Sequence, residues 1–237
     1  MSEKMSDAEK LKTRITGLDE VFQGGIPHGS SILLIAPPII EARLFCLDFL
    51  SKGLVNNEAA VMLTTDDAPE NLKEKGGEGF SKAEEENRMF WVDTYSINAS
   101  KDVQDTVNIK RIGGPVALSD MAIALSDIQI AFNKSNFTSF RFVFDSLSTL
   151  LMYSSPDTVY YFLQSIIPKM SRAGGVGLFV LSSGMHDPKV EMTIRHLMGG
   201  ALQLDDNLNL KILNFPTVLP KKDVHLTLQN NEFSVDR

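Results

Sequence analysis

The sequence predicts an α/β fold: a mainly parallel central sheet with helices on both faces, extended on its C-terminal side by antiparallel hairpins. Three observations lead there. Short apolar runs recur along the chain, and each is separated from the next by a helical pattern or a long crossover, as parallel strands require. Helix patterns fall on both sides of these runs, so the strands must be covered on both faces. Beyond Leu202 the pattern changes to alternation around polar turns, the mark of hairpins.

Taken in order, residues 1–12 are charged and featureless and read as a flexible tail ahead of a single domain over 13–237. Leu18, Val21 and Phe22 recur at helical spacing and are stopped by Gly24-Gly25. Pro27 and Gly29 turn the chain into the first core strand, Ile32–Ile35, too short an apolar run for a helix. Pro37-Pro38 forbid any earlier helix start. From Leu44 to Leu50 only Asp48 is polar, so the helix there must be covered all round. Glu58–Thr65 is a second strand with Asp66-Asp67 at its end, and Pro69 opens a helix over 70–75. Arg88–Val92 is a third strand, carrying Trp91.

Tyr95–Leu118 contains Gly113-Gly114-Pro115 and no periodicity, and reads as a working surface loop or a poorly ordered one. Ser119 is the expected cap of a helix with Met121, Leu125, Ile128 and Phe132 on one face. Phe140–Phe144 is a fourth strand ending at Asp145. Ser155-Pro156-Asp157 combines an N-cap, a first-turn proline and a carboxylate near the helix dipole. The helix it opens buries Val159, Phe162, Leu163, Ile166 and Met170, with a bend expected at Pro168. Val176–Leu181 is a fifth strand. Two hairpins follow, one turning at Asp205-Asp206-Asn207 and one at Asn230-Asn231.

At 237 residues, 43% hydrophobic and 22% charged, the chain has the composition of an ordinary soluble globule. A net charge of −7 argues against a dedicated nucleic-acid binder. The single cysteine, Cys46, excludes an intrachain disulfide and reads as a small buried hydrophobe. No leader-like segment or membrane-length apolar run is present, so no membrane association and a cytoplasmic location are expected.

The segment 30–49 reads as strand, tight turn and buried helix, which is where phosphate-binding proteins place G-x-x-x-x-G-K-[ST]. On that frame Ala36 stands for the first glycine, Pro37, Pro38, Ile39 and Ile40 fill the variable positions, and Glu41 stands for the second glycine. Ala42 replaces the lysine and Arg43 the metal-binding hydroxyl. Such a loop works by aiming backbone N–H groups at an anion, and prolines have none. Ala42 has no ammonium, and a Glu41 carboxylate ~4–5 Å from a phosphate costs on the order of a few kcal/mol. Arg43 would have to reach the site from the wrong face. Glu41 is expected to fill the phosphate space, alone or paired with Arg43. Met185-His186-Asp187 reads as a surface turn, without a second histidine at ligand spacing.

Three segments in this order carry a resemblance: residues 15–30 with Gly17-Leu18-Asp19 and Gly24-Gly25-Ile26-Pro27, Asp66-Asp67-Ala68-Pro69-Glu70, and Arg141–Leu151 with Asp145-Ser146-Leu147. Together they resemble the KaiC-like branch of the RecA ATPase superfamily, and the short, mostly archaeal members with an Ala-Leu-Ser-Asp helix (here Ala117–Asp120) look closest. The resemblance implies a RecA-like P-loop NTPase fold, ATP and Mg²⁺ at the loop, an acid that activates water, and sites often completed across a subunit interface. It gives Asp145 the Walker B role of holding Mg²⁺ through water, and Asp66 and Asp67 the place of a glutamate pair. Each aspartate is a methylene short, and a ~1 Å displacement of such an acid can lose on the order of a hundredfold in rate. Ser182 falls at a polar sensor position. The competing readings are a hydrogen-bonded strand-end carboxylate for Asp145 and solvated residues for Asp66 and Asp67.

The expectation is a pseudo-ATPase with no confident catalytic residue, no metal and no cofactor, acting through a protein partner or self-association in signalling or transcriptional regulation. The alternative is an ATP-binding protein or slow ATPase using ATP and Mg²⁺, with accessory work in DNA recombination as a more distant option.

Overall fold

The structure, a computed structural model, describes residues 10–77, 79–99, 103–135, 137, 139–215 and 223–236. The chain enters as β1 (Lys10–Leu11), runs through α1 (Leu18–Val21) and returns as β2 (Ile26–Pro27), which pairs antiparallel with β1. The expected tail therefore ends earlier than residue 12: Leu11 is buried against the core, and residues 1–9 lie outside the described residues. Gly25 sits at φ 127°, where a side chain would strike the Leu11 carbonyl, so the β1–β2 pair needs glycine there.

The core follows as β3 (Ser31–Ala36), α2 (Ile40–Val55), β4 (Ala59–Thr64), α3 (Pro69–Gly76), α4 (Gly79–Glu85) and β5 (Met89–Asp93). Within 95–118, where a loop was expected, α5 (Ser96–Ala99) and β6 (Ile109–Arg111) form, and residues 100–102 lie outside the described residues. Next come α6 (Leu118–Lys134), β7 (Phe140–Asp145), α7 (Leu147–Tyr153), α8 (Pro156–Arg172), β8 (Val176–Ser182) and α9 (Pro188–Leu197). The chain ends in β9 (Gly200–Leu204), β10 (Asn209–Asn214), β11 (Asp223–Gln229) and β12 (Glu232–Val235).

One sheet of ten strands organises the molecule, in the order β12-β11-β10-β9-β3-β8-β7-β4-β5-β6. From β9 to β6 every neighbouring pair is parallel, and β10, β11 and β12 are added antiparallel. The alternation of β3 sorts the core: Ile32, Leu34 and Ala36 pack with α2 and α4 on one face. Leu33 and Ile35 pack with α6, α7, α8 and α9 on the other. Both faces being covered, β3 and β4 are buried along their whole length, which explains their uninterrupted apolar sequence.

The helix starts show where local chemistry decided and where it did not. Ser155 caps α8 by accepting from the Thr158 N–H, with Pro156 in the first turn, as its sequence predicts. Ser119 does not cap α6: the helix starts at Leu118 with Ala117 in the cap position and no side-chain bond. Pro168 lies inside α8, which continues to Arg172.

Candidate functional site

Parallel strands that end on the same side leave a crevice beyond their C-terminal ends, the usual ligand side of an open α/β sheet. Here the ends of β3, β8, β7 and β4 meet the N-terminus of α2 around a cleft of about 240 Å³. Its wall combines the Ala36–Ile40 turn, Ala42, Arg43, Asp66, Asp145 and Ser182. The sequence-predicted positions are therefore brought together, apart from Glu41 and Asp67, which do not line the cleft itself. Among the described residues Glu41 makes no ion pair or side-chain hydrogen bond, so it does not fill the phosphate space as expected.

Arg43 lines the cleft instead, and it reaches it from the face that its position in α2 seemed to forbid. Its Nε donates to Asp145 Oδ2 at 2.7 Å, while Nη1 lies 3.6 Å from Asp67 and Nη2 lies 3.9 Å from Asp66. Burial by itself would lower the Arg43 pKa, but the three carboxylates, Asp145 foremost, outweigh it and raise the value. Asp145 is nearly fully buried; that burial pushes its carboxyl up from the ordinary value, and Arg43 pulls it part of the way back.

The remaining carboxylates are taken up by the protein. Asp66 accepts from the hydroxyls of Thr65 at 2.8 Å, of Thr149, and of Ser146 at 3.4 Å. Asp67 accepts from Lys75 Nζ at 2.6 Å, Asn71 Nδ2 at 2.7 Å and the Ala68 N–H at 2.9 Å. Burial opposes this, yet the bonds from Lys75 and Asn71 hold Asp67 below the usual carboxylate range. Asp66 remains solvent-exposed at 37% besides these bonds, as the solvated reading has it, whereas the Asp67 side chain is 13% exposed and taken up by its protein partners.

Several partners escaped the sequence reading. Lys75 and Asn71 carried a legible signal, since Asp67, Asn71 and Lys75 recur every fourth residue on one helical face. Ser148 carried none: its hydroxyl accepts from the Ser182 N–H at 2.8 Å and lies 2.8 Å from His186 Nε2. The Ser148 hydroxyl and the imidazole share that hydrogen bond, and burial lowers the His186 pKa. His186 thus pins the loop after β8 to the start of α7 and is no mere surface turn. A second hollow of about 480 Å³ shares Asp66 and is lined by Thr94, Tyr95, Asn98, Pro115 and Tyr153, which gives the 95–118 segment its place beside the site.

Among the described residues no group of three or more His, Cys, Asp or Glu side chains is arranged to hold a metal ion. Cys46 lies fully buried behind the site, and burial pushes its thiol far up, as an inert core residue.

Comparison with known proteins places the fold and the family. A UPF0273 protein of Methanocaldococcus jannaschii is 35% identical over 108 residues, covering 42% of this chain and 44% of that protein. The alignment thus spans less than half of that relative. A UPF0273 protein of Saccharolobus solfataricus is 26% identical over 206 residues, covering 83% of this chain and 69% of the relative. The circadian clock oscillator protein KaiC of Synechococcus elongatus is 23% identical over 170 residues, 70% of this chain but 30% of that protein. The crystal structure of a KaiC-like protein from Pyrococcus horikoshii superposes with a TM-score of 0.73 over 96% of this chain and 99% of its own, at 18% identity. That likeness establishes the RecA-like fold. Residues 11–215 match the family model described as ATPase: KaiC, and with most of the chain inside that match, it belongs to the KaiC-like family of RecA-fold ATPase domains.

Proposed function

We propose that this member is a pseudo-ATPase: a module that keeps the ATPase architecture, does not turn over nucleotide, and works through contact with another protein or a second copy of itself. The observation that carries the reading is the 2.7 Å bond from Arg43 to Asp145, which commits the Walker B carboxylate to the chain's own cation. Charge supports it. Asp66, Asp67 and Asp145 oppose only Arg43 and Lys75 within the cluster, leaving it net negative where a triphosphate would have to lie. Exposed Met152, Tyr153 and Tyr161, at 62%, 62% and 70%, offer apolar contact area on α7 and α8. Signalling or transcriptional regulation in the cytoplasm is the setting we propose, with neither nucleic acid nor membrane as the partner. No helix among the described residues is long and apolar enough to cross a membrane.

Titration calorimetry with Mg-ATP tests the reading. No binding at micromolar nucleotide is the expected outcome, and micromolar affinity overturns it. Filter binding at low salt is expected to detect no salt-dependent DNA affinity. A second reading, ATP binding or slow hydrolysis, is favoured by one observation: the cleft beside the turn persists, and Arg43 holds Asp66 and Asp67 only at the limit of ion-pair range. Phosphate release above a no-protein control, abolished by Asp145→Asn, is its signature.

A further inference from the structure

We propose that Arg43 is the resident cation of this cleft, holding the ends of β4 and β7 against α2 as a bound divalent metal would. The inference rests on the reading that the cleft takes no magnesium nucleotide, and adds what keeps it closed.

Arg43 sits at the fourth position of α2, within the first turn or so of the helix, where the macrodipole disfavours positive charge. An exposed arginine there would point to solvent. This one is instead folded inward, its side chain 22% exposed, into three carboxylates from two strand ends. Asp145 ends β7, and Asp66 and Asp67 follow β4, its neighbour in the sheet. A single guanidinium therefore bridges a helix to two strands. The spacing suits nitrogen donors: a magnesium ion draws its oxygens to about 2.0–2.1 Å, whereas these carboxylates spread around a planar group at 2.7 to 3.9 Å. Arg43 also stands at the loop position where a metal-binding hydroxyl would be. Removing it leaves three carboxylates, one of them buried, with only Lys75 as a neighbouring cation among the described residues.

The test uses the full chain, its Arg43→Ser and Arg43→Lys variants, and Mn²⁺ alone as the probe. Thermal unfolding is followed with chelator or with millimolar Mn²⁺, and bound ion is counted by electron paramagnetic resonance. The wild-type protein is expected to unfold at the same temperature in both conditions and to bind no Mn²⁺. Arg43→Ser is expected to unfold earlier than the wild type in chelator and in Mn²⁺ alike, since no three described carboxylates are arranged to hold the ion in its place. Arg43→Lys, which keeps the charge, is expected to stay indifferent to metal. Should Arg43→Ser not fold at all, the wild-type and Arg43→Lys arms decide the test. Mn²⁺ binding by the wild type, or an Arg43→Ser variant as stable as the wild type, overturns the proposal. Neither result touches the pseudo-ATPase reading, which only Mg-nucleotide binding or turnover by the wild type defeats.

Discussion

Arg141 is the residue on which the molecule concentrates most buried polarity. It lies on β7, its side chain fully excluded from solvent, paired with Glu58 at 2.7 Å and donating to the carbonyls of Thr13, Phe49 and Lys12. Burial lowers its pKa, and Glu58 opposes that by holding the guanidinium charged. Arg141→Ala takes a donor from each of those carbonyls and leaves Glu58 only the 3.4 Å contact with Arg14 among the described residues, and is expected to cost about 3–5 kcal/mol in urea unfolding. Gly53 belongs to the same arrangement, because a Cβ there would collide with the Arg141 side chain. Gly53→Ala is accordingly expected to destabilise, although alanine in a helix interior normally gains about 1 kcal/mol over glycine. Two carboxylates give opposite pH responses. Asp67, held low by Lys75 and Asn71 against its burial, contributes stability above the ordinary carboxylate value that is lost as pH falls through its lowered one. Thermal unfolding of Asp67→Asn is expected to show a deficit at neutral pH that closes in acid. Asp48 is raised by burial, only partly offset by the Phe233 N–H and Lys52, so its contribution declines as pH rises from the ordinary value through the raised one. Asp48→Asn keeps the acceptor for Phe233 and is expected to match or exceed the wild type at neutral pH, the difference closing in acid.

At the scale of elements, α9 shows what a cap contributes. Asp187 accepts from the Lys189 N–H at 2.7 Å, and Pro188 opens the helix. Asp187→Ala is expected to cost about 0.5–2 kcal/mol and to speed amide exchange in the first turn of α9. The same cap-then-proline signature predicts α8 at Ser155-Pro156, and at Asp187-Pro188 it opens a helix just after a stretch that reads as a surface turn. The long strands are legible because a sheet covered on both faces demands apolar runs, unbroken in β3 and β4 but interrupted by Arg141 in β7. Helices α4 and α7, each of seven residues, and β6, of three, were not, since elements that short complete too few periods for a pattern to emerge. The site was half legible. Which residues gather there follows from strand ends and loop spacing. Where Arg43 points does not, because an arginine's direction is set by carboxylates far away in sequence, Asp145 being 102 residues on.

For the whole molecule, the sheet joins two constructions: a parallel block whose strand ends form the cleft, and an antiparallel extension from β10 to β12 carrying little of the site. Size exclusion with light scattering on the wild type is the measurement for self-association; a mass above one chain supports a second copy as partner. The antiparallel extension does not end freely. Ser234 on β12 bridges to Thr16 in parallel, and the Val235 N–H donates to the Thr16 carbonyl at 2.8 Å. Gly17, at φ 79°, leaves room for Val235, whose Cβ would lie 2.9 Å from any side chain placed there. Because the two joined segments run in the same direction, traction on residues 10 and 236 would pull them lengthwise past one another, loading their fastening in shear. Stretched from those points in an optical trap, the chain should first yield by slipping at that clasp, well away from the cleft.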